Sequence, residues 1–246
     1  MYLFREKQSR EQLLERVRTS GFDTIILTVD TVVAGSRLRD VRNGLTIPPQ
    51  LSWRTLGEMS RHPRWWTNAL TTPPLEFASL RSTDGTVADL INNVFDPSLS
   101  RDDLRWLRNA WPGKLLVKGV QHVDDAVLVL DEGADGVILS NHGGRQLDGV
   151  PAGAVALAAV ADAVQGAVPL LVDGGVRRGT DAIRARALGA DAVLVGRPIL
   201  YGLATAGAEG VAGVLGLLRA ELENGLALVG SARFDEVDAS VLRHDG

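Results

Sequence analysis

One phrase occurs three times along this chain: a stretch of helical character, a glycine, one further residue, an aspartate, then a short apolar run. It reads RTSGFDTIILTVD at 18–30, LDEGADGVILSN at 130–141 and ALGADAVLVGR at 187–197. Gly21, Gly133 and Gly189 suit the position just past a helix end, where φ is positive. The runs 24–27, 136–139 and 192–195 are too short for helices. They are continuous rather than alternating, as expected of parallel strands buried on both faces. Residues 114–117 and 168–172 have the same character. Stretches near 123–132, 151–165, 179–188 and 209–228 read as the helices between them. Ser9 with Gln12 fits a capping box for a first helix carrying Leu13, Leu14 and Val17. The alternation predicts an α/β chain with a parallel sheet of five complete strands and a stub at 2–4.

The 246 residues are 45% hydrophobic and 23% charged, ordinary globular values, and are read as one domain over 1–246. No uninterrupted apolar run approaches about 20 residues, which on this reading excludes a membrane span. Arg5, Glu6 and Lys7 end the apolar start too soon for a secretory signal. Without cysteine there is no disulfide, thiolate metal site or Cys nucleophile, which fits a cytoplasmic setting. A formal charge of −4 argues against nucleic acid as the main partner. The rhythm breaks at about 31–103, a long strand-to-helix excursion with Pro48-Pro49, Pro73-Pro74, Trp53, Trp65 and Trp66. Excursions of this length are usually functional. Trp65-Trp66, with Arg61 and Arg64, reads as a packing cluster, a cover for the site, or a patch touching a membrane surface.

Polar residues gather where the strands end. The first strand leads to Thr28 and Asp30, the second to Lys118, and the third to Ser140, Asn141 and His142. The fourth leads to Asp173, Gly174, Gly175, Val176 and Arg177, the fifth to Gly196 and Arg197. In α/β proteins the C-terminal strand ends form the ligand face, so five such ends in one chain point to a shared site. His142, followed by Gly143, Gly144 and Arg145, reads as a base beside a fixed cation, suited to an anionic substrate that must lose a proton. The alternative is a polar loop capped by Asn141. Lys118 is a cation aimed at a ligand, or one that snorkels to solvent. DGGVRRG and VGRP each pair glycine with arginine near a helix start, which makes an anion site or simple turn chemistry. Asp30 suits a carboxylate–imidazole bond and Arg37 a second substrate cation, unless the two form a local ion pair. The other histidines, His62, His122 and His244, lack metal-ligand spacing, and no metal is expected.

SNHGGRQLDG, LVDGGVRRGTD and LGADAVLVGRPILYGLA together resemble the FMN-dependent α-hydroxy-acid oxidase and dehydrogenase family, and LTVD and LLVKGV agree. The resemblance spans essentially the whole chain. PPQLSW, RHPRWW and EFASL lean toward the bacterial L-lactate dehydrogenases of that family. It implies a (β/α)₈ TIM-type barrel, here a C-terminal partial barrel that begins inside the third strand, as in an N-terminally truncated member. It implies FMN as cofactor and oxidation of an L-2-hydroxy acid, L-lactate first, to the 2-oxo acid. His142 would be the base and Asp30 its partner. Tyr2, Arg37 and Arg145 would bind substrate. Thr28, Lys118 and Ser140 would meet the flavin ring. Asp173, Gly174, Gly175, Val176, Arg177, Gly196 and Arg197 would hold the ribityl chain and phosphate. The electron acceptor (quinone, oxygen or cytochrome) stays open. A homo-oligomer is expected, with peripheral contact at the inner face of the membrane through the Trp-rich excursion. Weak FMN binding, self-association and at most trace activity are expected of the chain alone. Two rivals remain: another phosphate-binding barrel enzyme such as a sugar-phosphate isomerase, and an inactive or interaction-only fragment.

Overall fold

The computed structural model describes residues 1–33, 35, 38, 42, 53–72 and 96–242. Arg37, the two proline pairs and His244 lie outside the described residues. Helix α1 (Lys7–Thr19) leads into β1 (Thr24–Thr28). The excursion contributes α2 (Trp53–Ser60) and α3 (Pro63–Thr71), and α4 (Arg101–Ala110) leads into β2 (Lys114–Val120). Then follow α5 (Val123–Asp131), β3 (Gly136–Leu139), α6 (Gly153–Val164), β4 (Leu170–Val172), α7 (Gly179–Ala187), β5 (Ala192–Val193) and α8 (Arg197–Val229). The five strands lie in sequence order and every pair is parallel, the wall of a partial (β/α) barrel. Residues 1–4 run beside β1: the Met1 nitrogen donates to Ile26 O at 2.6 Å and Thr28 N–H donates to Met1 O at 2.9 Å. That is a parallel ladder and places the expected stub.

The repeated phrase has a structural counterpart. After α1, α5 and α7 the chain makes the same two bonds. Gly21, Gly133 and Gly189 donate to carbonyls three residues back, and Phe22, Ala134 and Ala190 to carbonyls five back. These are Schellman ends, and all three glycines have φ between +78° and +104°. The aspartate then ties neighbouring strands at their N-terminal ends. Asp135 N–H donates to Leu115 O while Asp135 Oδ2 accepts Leu115 N–H at 2.9 Å. Asp191 and Leu170 exchange the same pair. Asp23 departs: its carbonyl accepts Lys114 N–H and its carboxylate takes the Thr24 hydroxyl. A Cβ at Gly189 would lie 2.4 Å from Ala161 Cβ, whereas one at Gly21 would meet nothing. Gly189→Ala is therefore expected to cost about 1–3 kcal/mol more than Gly21→Ala, because only the former is overpacked as well as strained. Urea unfolding of the two variants checks this.

Burial corrects one expectation. β3 is buried on both faces, but β1 and β2 alternate. Ile25, Leu27, Leu115 and Val117 share one core with Leu104 and Leu107 of α4, Ala126 and Val129 of α5, and Leu157 and Val160 of α6. Ile26, Thr28, Leu116 and Lys118, on the other face, are half-buried; the described helices α4, α5 and α6 pack on the first. The apolar run at 192–195 supplies only two strand residues. The expected box at Ser9 is also corrected: α1 starts at Lys7, and the Ser9 hydroxyl donates back to Glu6 at 2.6 Å. A capping box does open α4, from Ser100 to Asp103.

Helix α8 qualifies the exclusion of a membrane span, since by length and composition it could cross one. Non-helical angles at Ala206 and Gly207 break it. It crosses α7 in backbone contact, where a Cβ on Gly179 would lie 2.1 Å from Leu222 N.

Arg10, buried in α1, joins three parts of the chain. Its guanidinium donates to Phe4 O, to Asp96 at 2.6 Å and to Asp103 at 2.7 Å, and lies 5.8 Å from the Trp106 ring. The Ser98 hydroxyl and N–H, with Arg10, hold Asp96 below the usual carboxylate range. Burial pushes Asp103 up, but Ser100 and Arg10 together outweigh it and leave Asp103 low as well. Carboxyls depressed by folding stabilise the chain fully above their unfolded value, about 4, and that contribution is lost as pH falls through the folded value. Asp103→Asn is expected to remove about 1.5–3 kcal/mol near neutral pH. Urea unfolding across pH should show the gap to the parent closing below about pH 4.

Candidate active site

The turn after β3 sets the centre. His142 has φ +55°, rare for a residue with a side chain, and Gly143 and Gly144 continue at +66° and +71°. The turn is held from within: Asn141 Oδ1 accepts Gly144 N–H at 3.2 Å, and Ser140 Oγ accepts His142 N–H at 3.0 Å. His142 Nδ1 meets Asp30 Oδ1 at 3.1 Å. Asp30 is buried, its side chain 6% exposed, and the Thr31 hydroxyl donates to the same oxygen. An ionised carboxylate has no proton to give, so this bond puts the imidazole hydrogen on Nδ1 and leaves the Nε2 lone pair free. Gly119 makes room for Asp30: a Cβ there would stand 2.7 Å from Asp30 Cβ.

Lys118 does not snorkel. Its ammonium is 2.8 Å from Asp173 Oδ2 and donates to Ser140 Oγ at 2.8 Å, with the side chain 17% exposed. Ser140 thus touches both Lys118 and the His142 backbone. A cleft of about 830 Å³ opens beside these residues. Lys118, His142, Arg145, Asp173, Gly174, Gly175, Val176, Arg177, Gly196 and Arg197 all line it. Arg145 makes no hydrogen bond or ion pair among the described residues. Arg197 donates to Gly143 O at 2.8 Å and so ties the start of α8 to the histidine turn.

The two glycine–arginine motifs are not equivalent, which corrects their reading as a matched pair of helix-start anion sites. At α7 the N–H groups of Arg177 and Arg178 go to Asp181 Oδ2 and that of Gly179 to Glu221 Oε2. Two carboxylates already occupy that helix start. Of the two, the start of α8, at Gly196 and Arg197, carries no carboxylate among the described residues, which leaves its dipole to an anion. The Arg177 side chain still lines the cleft.

Asp30 and Ser140 stand behind the cleft as partners of its residues. Thr28 is in register with Lys118 but does not line the cleft, nor does Tyr2, on the segment beside β1. Arg37 is outside the described residues. Leu200 and Tyr201, one helical turn into α8, line the cleft and carry no signal in the sequence beyond following VGRP. Gln146, also missed, binds the β1 loop; its place directly after Arg145 was the available clue.

A family model described as FMN-dependent dehydrogenase matches residues 1–244. A Mycobacterium tuberculosis protein provisionally named L-lactate dehydrogenase is 48% identical over 96% of this chain and 57% of its own length. An L-lactate dehydrogenase of Stenotrophomonas maltophilia is 40% identical over 96% of this chain and 64% of its own. The crystal structure of (S)-mandelate dehydrogenase, described as a monotopic membrane protein, superposes with a TM-score of 0.93 at 38% identity, covering 100% of this chain and 66% of that one. The chain thus spans roughly three-fifths of the length of the relatives it matches. With a match over nearly every residue, and the strand-end site set on a parallel barrel wall, this chain belongs to the FMN-dependent dehydrogenase family.

Proposed function

We propose that this chain carries the catalytic face of an L-2-hydroxy-acid dehydrogenase, with L-lactate as substrate. The observation that carries the reading is the imidazole–carboxylate pair of His142 and Asp30, next to an Arg145 that has no partner of its own among the described residues. The cleft also suits the family's cofactor. Asp173 Oδ1 is buried without a hydrogen-bond partner, as an acceptor awaiting a polyol hydroxyl would be. Gly175 and Gly196 open onto the cleft with nothing within 4 Å of a Cβ position. Asp173, Gly174, Gly175, Val176, Arg177, Gly196 and Arg197 would hold the ribityl chain and phosphate, and Lys118, itself held by Ser140, would meet the ring. When bound, FMN supplies the acceptor for the two electrons and the hydrogen that leave C2.

The residues do the rest. Arg145, with Arg37, binds the substrate carboxylate. His142 Nε2 takes the hydroxyl proton. Asp30 stabilises the imidazolium so formed, and the half-buried Lys118 ammonium offsets negative charge at the ring site. The product is the 2-oxo acid. Trp53, Trp65, Leu56 and Leu70 are exposed on α2 and α3, which supports peripheral membrane contact on the model of the monotopic neighbour.

The test is to purify the 246-residue chain with added FMN and follow dye reduction by L-lactate and by (S)-mandelate. Reduction by L-lactate is expected at no more than a trace rate from the chain alone and at a robust rate once the segment missing relative to its longer relatives is supplied, with (S)-mandelate the weaker substrate. Bound flavin without reduction by either acid would overturn the reading.

A further inference from the structure

Asp30 can orient His142 only if the loop carrying it is itself fixed. That loop leaves β1 for the excursion and lies far in sequence from the histidine turn. One side chain spans the two. The Gln146 carboxamide donates from Nε2 to Asp30 O at 3.2 Å and to Val33 O at 3.0 Å. Two carbonyls can be met only by the NH₂ end, so the orientation of the amide follows from its neighbours. Gln146 Oε1 is buried with no donor. Gly35 presses on the same point: a Cβ there would lie 2.3 Å from Arg145 O and 2.8 Å from Gln146 Cα. On its other side Asp30 abuts Gly119 with no clearance. Asp30 is thus gripped between β2 and the histidine turn, and Gln146 supplies the hydrogen bonds of the second grip.

We propose that Gln146 is a positioning residue for the proton-accepting pair: it latches the Asp30 loop to the His142–Arg145 turn and holds the carboxylate at bonding distance from Nδ1. This rests on the His142–Asp30 reading above. Its burial without a partner for Oε1 argues that the NH₂ contacts keep this side chain in place, since an unsatisfied buried acceptor is itself costly.

The test reads the pair directly, without turnover. A proton shared between an imidazole Nδ1 and a carboxylate exchanges slowly enough to give a far-downfield proton NMR resonance, assigned here by its loss in His142→Ala. Gln146→Met keeps the length of the side chain and removes both donors. The resonance is expected to disappear in Gln146→Met while the backbone amide spectrum stays that of the folded chain. In the FMN-loaded protein, kcat for flavin reduction is expected to fall about 10-fold with KM little changed, less than the roughly 10²-fold that a 1 Å misplacement can cost. Should Gln146→Met not fold, Gly35→Ala loads the same latch and is expected to lose the same resonance. A resonance retained at full intensity in the folded variant, or a loss confined to KM, would overturn the role of Gln146 and leave the pair standing. Absence of the resonance from the parent chain would overturn the pair and the latch together.

Discussion

His142→Ala is expected to lower the rate of flavin reduction by L-lactate about 10²–10⁴-fold, the usual worth of a positioned general base. The loss should fall on turnover and not on cofactor binding. His142 reaches the cleft from the β3 turn, whereas the charged groups best placed for a phosphate are Arg177 and Arg197, on other elements. The imidazole touches Asp30, and its backbone touches Ser140. Truncation leaves the backbone contact intact, so the turn should survive. Rapid-mixing measurement of flavin reduction, beside a titration of FMN into the variant, separates the two effects. Reduction within a few-fold of the parent rate would remove His142 from the chemistry.

Arg145→Lys tests the substrate side. A guanidinium grips a carboxylate through two parallel hydrogen bonds, and an ammonium cannot reproduce that fork. Arg145 lines the cleft and is engaged by no described residue, so its donors are free for a ligand. Losing one charged hydrogen bond costs about 1.5–3 kcal/mol, or roughly 10–150-fold in affinity. A 2-oxo acid titrated into the FMN-loaded variant should bind weaker by that factor, with flavin affinity little changed. An unchanged dissociation constant would mean that another group anchors the carboxylate.

Both predictions use residues legible in the sequence, and the reason is local. A glycine at a helix end, an apolar run and a polar strand end each follow from neighbours a few positions apart, so the strands and the polar residues at their ends could be read directly. Contacts between distant segments could not. Nothing in residues 177–181 shows that Glu221, far along α8, already occupies the start of α7. The engagement of Lys118 by Ser140 and Asp173 needs three strands in register. Ser9 was misread because a serine three residues before a glutamine also fits a helix interior, and Glu6 decides where α1 begins. FMN itself came from the resemblance alone; residue chemistry reached only an anionic ligand.

The aspartate ties at the N-terminal strand ends bear on how the sheet is assembled. Asp135 bonds back to Leu115 and Asp191 back to Leu170, separations of 20 and 21 residues. Closing so short a loop costs little entropy, and each doubling of its length would add only about 0.6 kcal/mol. The units ending in β3 and β5 can therefore dock on the preceding strand soon after they form, whereas β2 must close the long excursion before it pairs with β1. The Leu115 N–H, aided by Arg108 and Lys114, holds the Asp135 carboxyl below its usual range. The order of events would run along the bottom of the wall, while the loops at its top, where Asp30, His142 and Arg145 must meet, settle last.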